Sequence, residues 1–499
     1  MDEQLNLILT WFQQLDIKVN VDKLKRQLSV INNWVKYKRV GVFEAVTGFG
    51  KTYVAIIGIY RLNLAYPLAT IIVVVPSAKL FKDWEDHIIN FDLKNVTVYV
   101  VNTYTQNFIE TRQRYKCTFL ICDEVHRVLG TRGIQFNKTI QCTEFDMFLG
   151  LTATLELQER QVLADLNIPI VDTITMSEAR RFGYVSDYAI YNLGNTINEQ
   201  EREKYNKVND IYHGTFAKFN YYMEFTQNIQ LIKACMVSDI KNALVGNEWN
   251  TALGWRTWYA TEMGWDGHDK THPWSPDNLR KYANQWNYAL GARKTFLYEV
   301  YEKINVTRQL IEKFKVPTIT FAETTNFVDK LVHELTLYGI KSRAYHSNIK
   351  PMIIHQKEKA YRNRKNALLF KKRVNGTIID EGDGNYAIEY DKEIKIAGKN
   401  LKQKIINEFE DKVIDVLCTA KALDEGLNIE GIELVIICSA TGKKRARIQR
   451  TGRGLRFAIG KMARIVNLYI LDSQDEVWLK KSQKGETNIR YITDINEIL

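Results

Sequence analysis

Short runs of uninterrupted apolar residues recur along the chain, and each is followed by a stretch whose apolar positions fall three or four apart. In the first half the runs are RVGVFE (39–44), ATIIVVVP (69–76), TFLICDE (118–124) and MFLGLTAT (147–154). In the second half they are VPTITFAET (316–324), VIDVLCTA (413–420), ELVIICSAT (433–441) and RIVNLYIL (464–471). A strand that is apolar at every position is buried on both faces, and helices between such strands cover a parallel sheet. Two blocks of this kind predict an α/β chain with two parallel-sheet domains in tandem.

Residues 195–312 break the pattern. They read as helices, and six of the ten tryptophans crowd into 249–286: Trp249, Trp255, Trp258, Trp265, Trp274 and Trp286. Two readings stay open here: rings that stack on unpaired bases, or a small helical subdomain with an aromatic core. His268 and His272 have the spacing of a metal pair on a helix, but Gly267 and Pro273 beside them argue against that helix. Between residues 371 and 400, DEGDGN separates two alternating segments and predicts a hairpin.

Length and charge narrow the class. A chain of 499 residues exceeds a single core. The net charge of +11 favours a polyanionic partner. The six cysteines form no CxxC pair and mostly sit in strand-like runs, which predicts reduced core thiols. No segment has the layout of a signal peptide or a membrane span, so the expectation is a cytoplasmic protein without a membrane partner.

The chemistry starts at AVTGFGKT (45–52), between the first predicted strand and a helix. A glycine-bearing turn there offers backbone N–H groups at a helix N-terminus, which suits a polyphosphate. Lys51 would reach the β- and γ-phosphates, and the Thr52 hydroxyl would ligate Mg²⁺. The strict pattern has glycine where this chain has Ala45. Asp123-Glu124-Val125-His126 follows another apolar strand. Asp123 would hold Mg²⁺, and Glu124 would act as general base on the attacking water. Thr152-Ala153-Thr154 closes the next strand. Near the C-terminus, residues 439–464 carry nine Lys or Arg and no acid. Arg450, Arg453 and Arg456, three apart, would share a helical face and could neutralise a transferring phosphoryl group.

Together these segments resemble the superfamily 2 helicases and translocases. AVTGFGKT, VVVPSAKLFKDW (73–84), DEVH, TAT, TITFAET, LCTAKALDEGLNIEG (417–431) and QRTGRGLR (449–456) follow the order of that family's motifs. Within it, the DExH form, the QRxGRxxR ending and GYVSDYAIYNL are most similar to UvsW-type phage branch-migration helicases. XPB-type repair helicases and type III restriction motor subunits are similar too. The resemblance spans about 21–190 and 313–475.

It implies a RecA-like fold for both domains, with a helical, tryptophan-rich insertion between them. The expected organisation is a short helical extension (1–25), a first domain (26–190), the helical region (191–312) and a second domain (313–499) with the hairpin insert 371–400. It implies an ATP- and Mg²⁺-dependent motor that unwinds or remodels DNA, with branched recombination intermediates as substrates. An RNA helicase, a motor subunit of a nuclease complex and a non-hydrolysing ATP-gated clamp are the alternatives. Thr47, Gly48, Phe49, Gly50, Lys51 and Thr52 would bind the nucleotide phosphates, and Gln27 would read adenine. His126 would couple hydrolysis to movement. Gln449, Arg453 and Arg456 would approach the γ-phosphate from the second domain. Asp424, Glu425 and Gly426 would lie between ATP and nucleic acid. The implied partners are DNA rather than RNA and phage or host recombination and replication proteins, with the chain itself a monomer.

Overall fold

A computed structural model describes residues 2–129, 139–140, 142–185, 187–236, 252–363, 377–380, 385–420, 431–439, 462–483 and 489–499. Two parallel sheets organise it. The first contains β1 (Val40–Ala45), β2 (Ile71–Val75), β3 (Val96–Val100), β4 (Tyr115–Asp123), β5 (Thr143–Thr152) and β6 (Ile170–Ile174), in the order β3-β2-β4-β5-β1-β6. The second contains β7 (Asp187–Asn195), β8 (Thr318–Ala322), β9 (Ser342–Tyr345), β13 (Val416–Ala420), β14 (Leu434–Ile437), β15 (Met462–Ile470) and β16 (Ile489–Ile492), in the order β16-β7-β15-β14-β8-β13-β9. A separate antiparallel sheet joins β10 (Met352–Asn363), β12 (Asn385–Ile396) and β11 (Thr377–Asp380). The fold class is therefore the expected one: two parallel α/β sheets in tandem with helices between them.

The inner strands β2, β8, β13 and β14 are buried at every position, which is why their sequences are mostly apolar, with Thr318, Thr320 and Thr419 the buried polar positions. On the first sheet lies the helix Lys51–Ala65, buried from Val54 to Ile59. Helix Val21–Lys36 packs against it. The N-terminal helix Asp2–Gln14 adds Ile8, Trp11 and Phe12 to the same core, with Trp11 stacked on Tyr60 at 3.7 Å.

β7 departs from the expected organisation. It runs in register with β15 over nine residue pairs, Met462↔Asp187 to Ile470↔Asn195, and with β16 on its other side. A boundary at 190 would cut this strand in two. Its sequence, DYAIYNLGN, is buried from Ile190 onward but is not among the apolar runs read as strands above.

Helices Glu199–Ala217, Phe225–Met236, Ala252–Glu262 and Pro276–Glu299 follow β7. They enclose their own core of Tyr212, Phe219, Leu231, Ile232, Tyr259 and Trp286, with Trp258, Trp265 and Trp274 packed against it. The aromatic-core reading is the one observed for these four tryptophans; Trp255 stands 38% exposed at the edge. Residues 263–275 around His268 and His272 form turns and bends. The region is rooted in the second sheet's helices and loops: the Arg202 guanidinium donates to the carbonyls of Leu471 and Asp472, and the Gln474 N–H donates to the Tyr205 hydroxyl. Beside these contacts, Lys303 and Asp475 form a fully buried ion pair at 2.6 Å.

Candidate nucleotide site

Three ends of the first sheet converge on the glycine-rich turn. After β1, Gly48 (φ +91°) and Gly50 (φ +89°) take left-handed conformations, and Gly50 caps the helix that starts at Lys51. A side chain at 50 would be strained by φ and would meet Gln27 Nε2 at 2.7 Å, so only glycine fits. Phe49 is fully buried against Phe43 and Tyr184 and pins the turn from below. Gln27 donates from Nε2 to the carbonyls of Phe49 (3.2 Å) and Gly50 (3.3 Å), and Lys23 donates to that of Gly48 (2.7 Å). These donors engage the turn's carbonyls from the side of helix Val21–Lys36. A helix N-terminus offers its N–H groups and the positive end of its dipole to an anion. Thr47, Lys51 and Thr52 are half-buried at this turn, and the Lys51 ammonium rests on the Ala45 carbonyl at 3.2 Å.

At the end of β4, Asp123 is 6% exposed. Its Oδ1 accepts the Glu124 N–H at 2.9 Å and its Oδ2 accepts the Trp84 indole N–H at 3.0 Å. Burial, then the neighbouring Glu124, pushes this carboxyl up to about 6, while the Lys51 ammonium pulls the other way. An uncompensated carboxylate in that setting is costly, and a bound cation would relieve it. Glu124 has φ +50°, rare for a residue with a side chain. The next N–H, of Val125, is held by the Leu151 carbonyl of β5 at 2.8 Å. His126 is buried, with Nδ1 3.0 Å from Thr152 Oγ1 and 3.3 Å from a Glu124 carboxylate oxygen. The DEVH and TAT segments are thus joined directly.

The donor set fits Mg²⁺. The Thr52 hydroxyl and the Asp123 carboxylate are hard oxygen ligands, and Mg²⁺ is commonly held by one or two protein oxygens together with substrate phosphates. Among the described residues, no three His, Cys, Asp or Glu side chains gather as a metal site of their own. Asp424, Gly426, Gln449, Arg453 and Arg456, with Glu425 and Arg450, lie outside the described residues.

Two side chains at this end of the sheet were not assigned to it from sequence. Glu44 of β1 accepts the Leu155 N–H at 2.9 Å and the Arg160 guanidinium at 2.6 Å, tying β1 to the chain after TAT. Trp84 reaches Asp123 from 39 residues away. Only the pairing of β2 with β4 brings them together, Val74 lying opposite Cys122, and no spacing rule would reveal it.

The described residues include no helix long and apolar enough to cross a membrane. Residues 20–157 match the profile of the type III restriction enzyme res subunit, and residues 394–458 match that of the helicase conserved C-terminal domain. The DNA 3'-5' translocase XPB2 of Sulfurisphaera tokodaii is 22% identical over 461 residues, covering 88% of this chain and 80% of the relative. Among solved structures, the chain is similar to the Pyrococcus furiosus Hef helicase domain (TM-score 0.47, 15% identity, 92% of this chain and 98% of that one). It is also similar to S. cerevisiae Dbp5 bound to RNA and ADP BeF3 (TM-score 0.49, 12% identity, 97% and 95%). One profile match spans the glycine-rich turn and its carboxylate pair, and the other reaches into the basic carboxy-terminal segment.

Proposed function

We propose that this protein is a superfamily 2 DNA translocase that hydrolyses ATP at the end of its first sheet to move along, and to unwind or remodel, DNA. One observation carries the reading. The glycine-rich turn after β1, the Asp123–Glu124 pair at the end of β4 and Thr152 at the end of β5 lie at the same end of neighbouring strands, with His126 linking the last two.

In this reading the turn's N–H groups and Lys51 hold the ATP phosphates. Thr52 and Asp123 hold Mg²⁺, which when bound supplies charge neutralisation on the phosphates. Glu124 takes the proton of the attacking water. Gln27 steadies the turn and, by the resemblance, would read the adenine. His126 passes the state of Glu124 to Thr152 and the chain beyond it. By the resemblance, Arg453 and Arg456, with Gln449, would complete the site from the second domain, and Asp424 and Gly426 would serve between ATP and the DNA. The +11 charge suits a phosphate track. DNA is favoured over RNA because the relative matched over 88% of this chain is named a DNA translocase. Action on branched recombination intermediates, as a monomer in the cytoplasm of a phage host, is the finer form of the proposal.

The test is ATP turnover against a panel of single-stranded, duplex, forked and four-way-junction DNA, with RNA alongside. Turnover stimulated by DNA and strongest on branched forms supports the reading. Turnover stimulated by RNA alone would overturn the DNA assignment, and absent turnover would overturn the enzyme.

A further inference from the structure

Helix Ala78–Asn90 follows β2 and is capped by Ser77, whose hydroxyl accepts the Leu80 N–H at 3.4 Å. Most of its charged positions face outward: Lys79, Lys82, Glu85 and Asp86 are exposed, and Asp83 is half-buried. One residue of the helix is counted in the core, Trp84, at 1% exposure. The indole is not merely filling space. Its N–H points at Oδ2 of Asp123, 3.0 Å away, in a buried contact.

The other carboxylate oxygen accepts the Glu124 N–H at 2.9 Å. The two donors come from different parts of the fold. One belongs to the strand-end turn that carries Asp123. The other belongs to a helix that follows β2, the strand paired with β4. With both oxygens held, the plane of the carboxylate is set, and each oxygen keeps a lone pair on the side away from its donor.

We propose that Trp84 is a positioning residue for the nucleotide site: through its indole N–H, helix Ala78–Asn90 sets the orientation in which the Asp123 carboxylate meets a divalent cation. The proposal rests on the reading of Asp123 as the Mg²⁺ ligand. It adds that the helix after β2 takes part in forming that ligand's geometry. A movement of this helix would turn the carboxylate. The helix thus has a physical route to the site that does not pass through the glycine-rich turn. Groups that orient a ligand in this way typically matter by 10- to 100-fold in metal affinity or activity.

A matched control exists in the same sheet unit. Trp34 is 5% exposed, and its indole N–H donates to the Phe148 carbonyl at 2.8 Å. Trp34→Phe removes a buried indole hydrogen bond without touching Asp123. The experiment compares wild type, Trp84→Phe and Trp34→Phe in the full chain. The readouts are thermal midpoint without metal, Mn²⁺ affinity by electron paramagnetic resonance with a non-hydrolysable ATP analogue, and the Mg²⁺ dependence of turnover. Trp84→Phe is expected to weaken Mn²⁺ binding about tenfold or more and to move the Mg²⁺ midpoint of turnover in the same direction. Trp34→Phe should lower the thermal midpoint and leave Mn²⁺ affinity as in wild type.

Equal Mn²⁺ affinity in wild type and Trp84→Phe would overturn the proposal, as would the same loss in both variants. If Trp84→Phe does not fold, replacing Trp84 by its benzothiophene isostere keeps the ring shape, lacks the N–H and carries the same expectation. Wild-type protein that binds no Mn²⁺ with the analogue would overturn the ligand assignment itself, a result distinct from a failure of Trp84 alone.

Discussion

Tryptophans are buried at both the nucleotide edge of the first sheet and the helical region 199–299, but they do different jobs. Near the sheet, Trp34 and Trp84 each spend their indole N–H on a defined acceptor, a strand carbonyl and a carboxylate. In the helical region, Trp258 meets Tyr221 and Trp255 edge-on at 5.5 and 5.7 Å, and Trp286 packs on Tyr212 at 5.7 Å. The first arrangement fixes polar geometry at a point. The second mainly fills volume, with Trp265 alone among the described tryptophans of that core donating its indole N–H, to the Asp269 carbonyl at 2.8 Å. The two regions should therefore respond to substitution differently: Trp84 and the carboxylates beside it in metal binding and turnover, the helical core in stability with little change in turnover per folded molecule.

The sharpest way to break this contrast is Glu124→Gln. Base positioning matters only in the transition state, so turnover should fall by about 10³ or more while ATP binding and thermal midpoint hold. Near-normal turnover would remove the edge from the comparison. Next is Trp286→Ala, at 3% exposure in the helical core. It should cost about 3–5 kcal/mol in urea unfolding, with basal turnover unchanged once corrected for folded protein; lost turnover at intact stability would reverse the contrast.

Asp123→Asn sharpens it through pH. The Asp123 carboxyl titrates near 6, above its ordinary 3.8, because burial and then Glu124 disfavour the charge. A group raised in this way binds its proton more tightly folded than unfolded. Its ionisation destabilises the metal-free fold progressively as pH rises from about 4 to about 6. The variant should match wild type in thermal midpoint near pH 4 and exceed it above pH 6, while losing turnover. A midpoint gap that does not change with pH would contradict the assignment. The smallest effect is expected at Trp255, 38% exposed at the rim of the aromatic core. Trp255→Ala should change unfolding free energy by about 0.5 kcal/mol or less; a fall in fork unwinding without that loss would restore a base-stacking role to this one ring.

What could be read in the sequence follows burial. The strands predicted from apolar runs lie inside their sheets. β3, β6, β9 and β16, which have no such run, are the four outer strands. An outer strand faces neighbours on one side only, so VTVYV, IVDTI and IRYI mix exposed and buried positions and lose the continuous signal. β10, the partner of β12 over twelve residue pairs, opens on MII and continues as the polar run HQKEK, so it carries no continuous apolar signal either. At the nucleotide edge, local motifs announced the glycine turn and the DEVH turn, because each is built from adjacent residues. The contacts of Trp84 with Asp123 and of Glu44 with Leu155 and Arg160 depend on which strands lie side by side, and short motifs do not carry that information.

The pairing of β7 with β15 has a consequence for how the molecule can be taken apart. Strands β1 to β6 precede residue 175 and strands β7 to β16 follow residue 186, so the chain passes from one sheet to the other a single time. The four aromatic helices leave from β7 and return to β8, two strands of the same sheet. They form a loop-out of the second sheet, with both anchors on one body. A tether or label placed on them reports the displacement of that body as a lever arm would. Exchanging them for another helical cassette would leave the nucleotide edge's own chain uninterrupted.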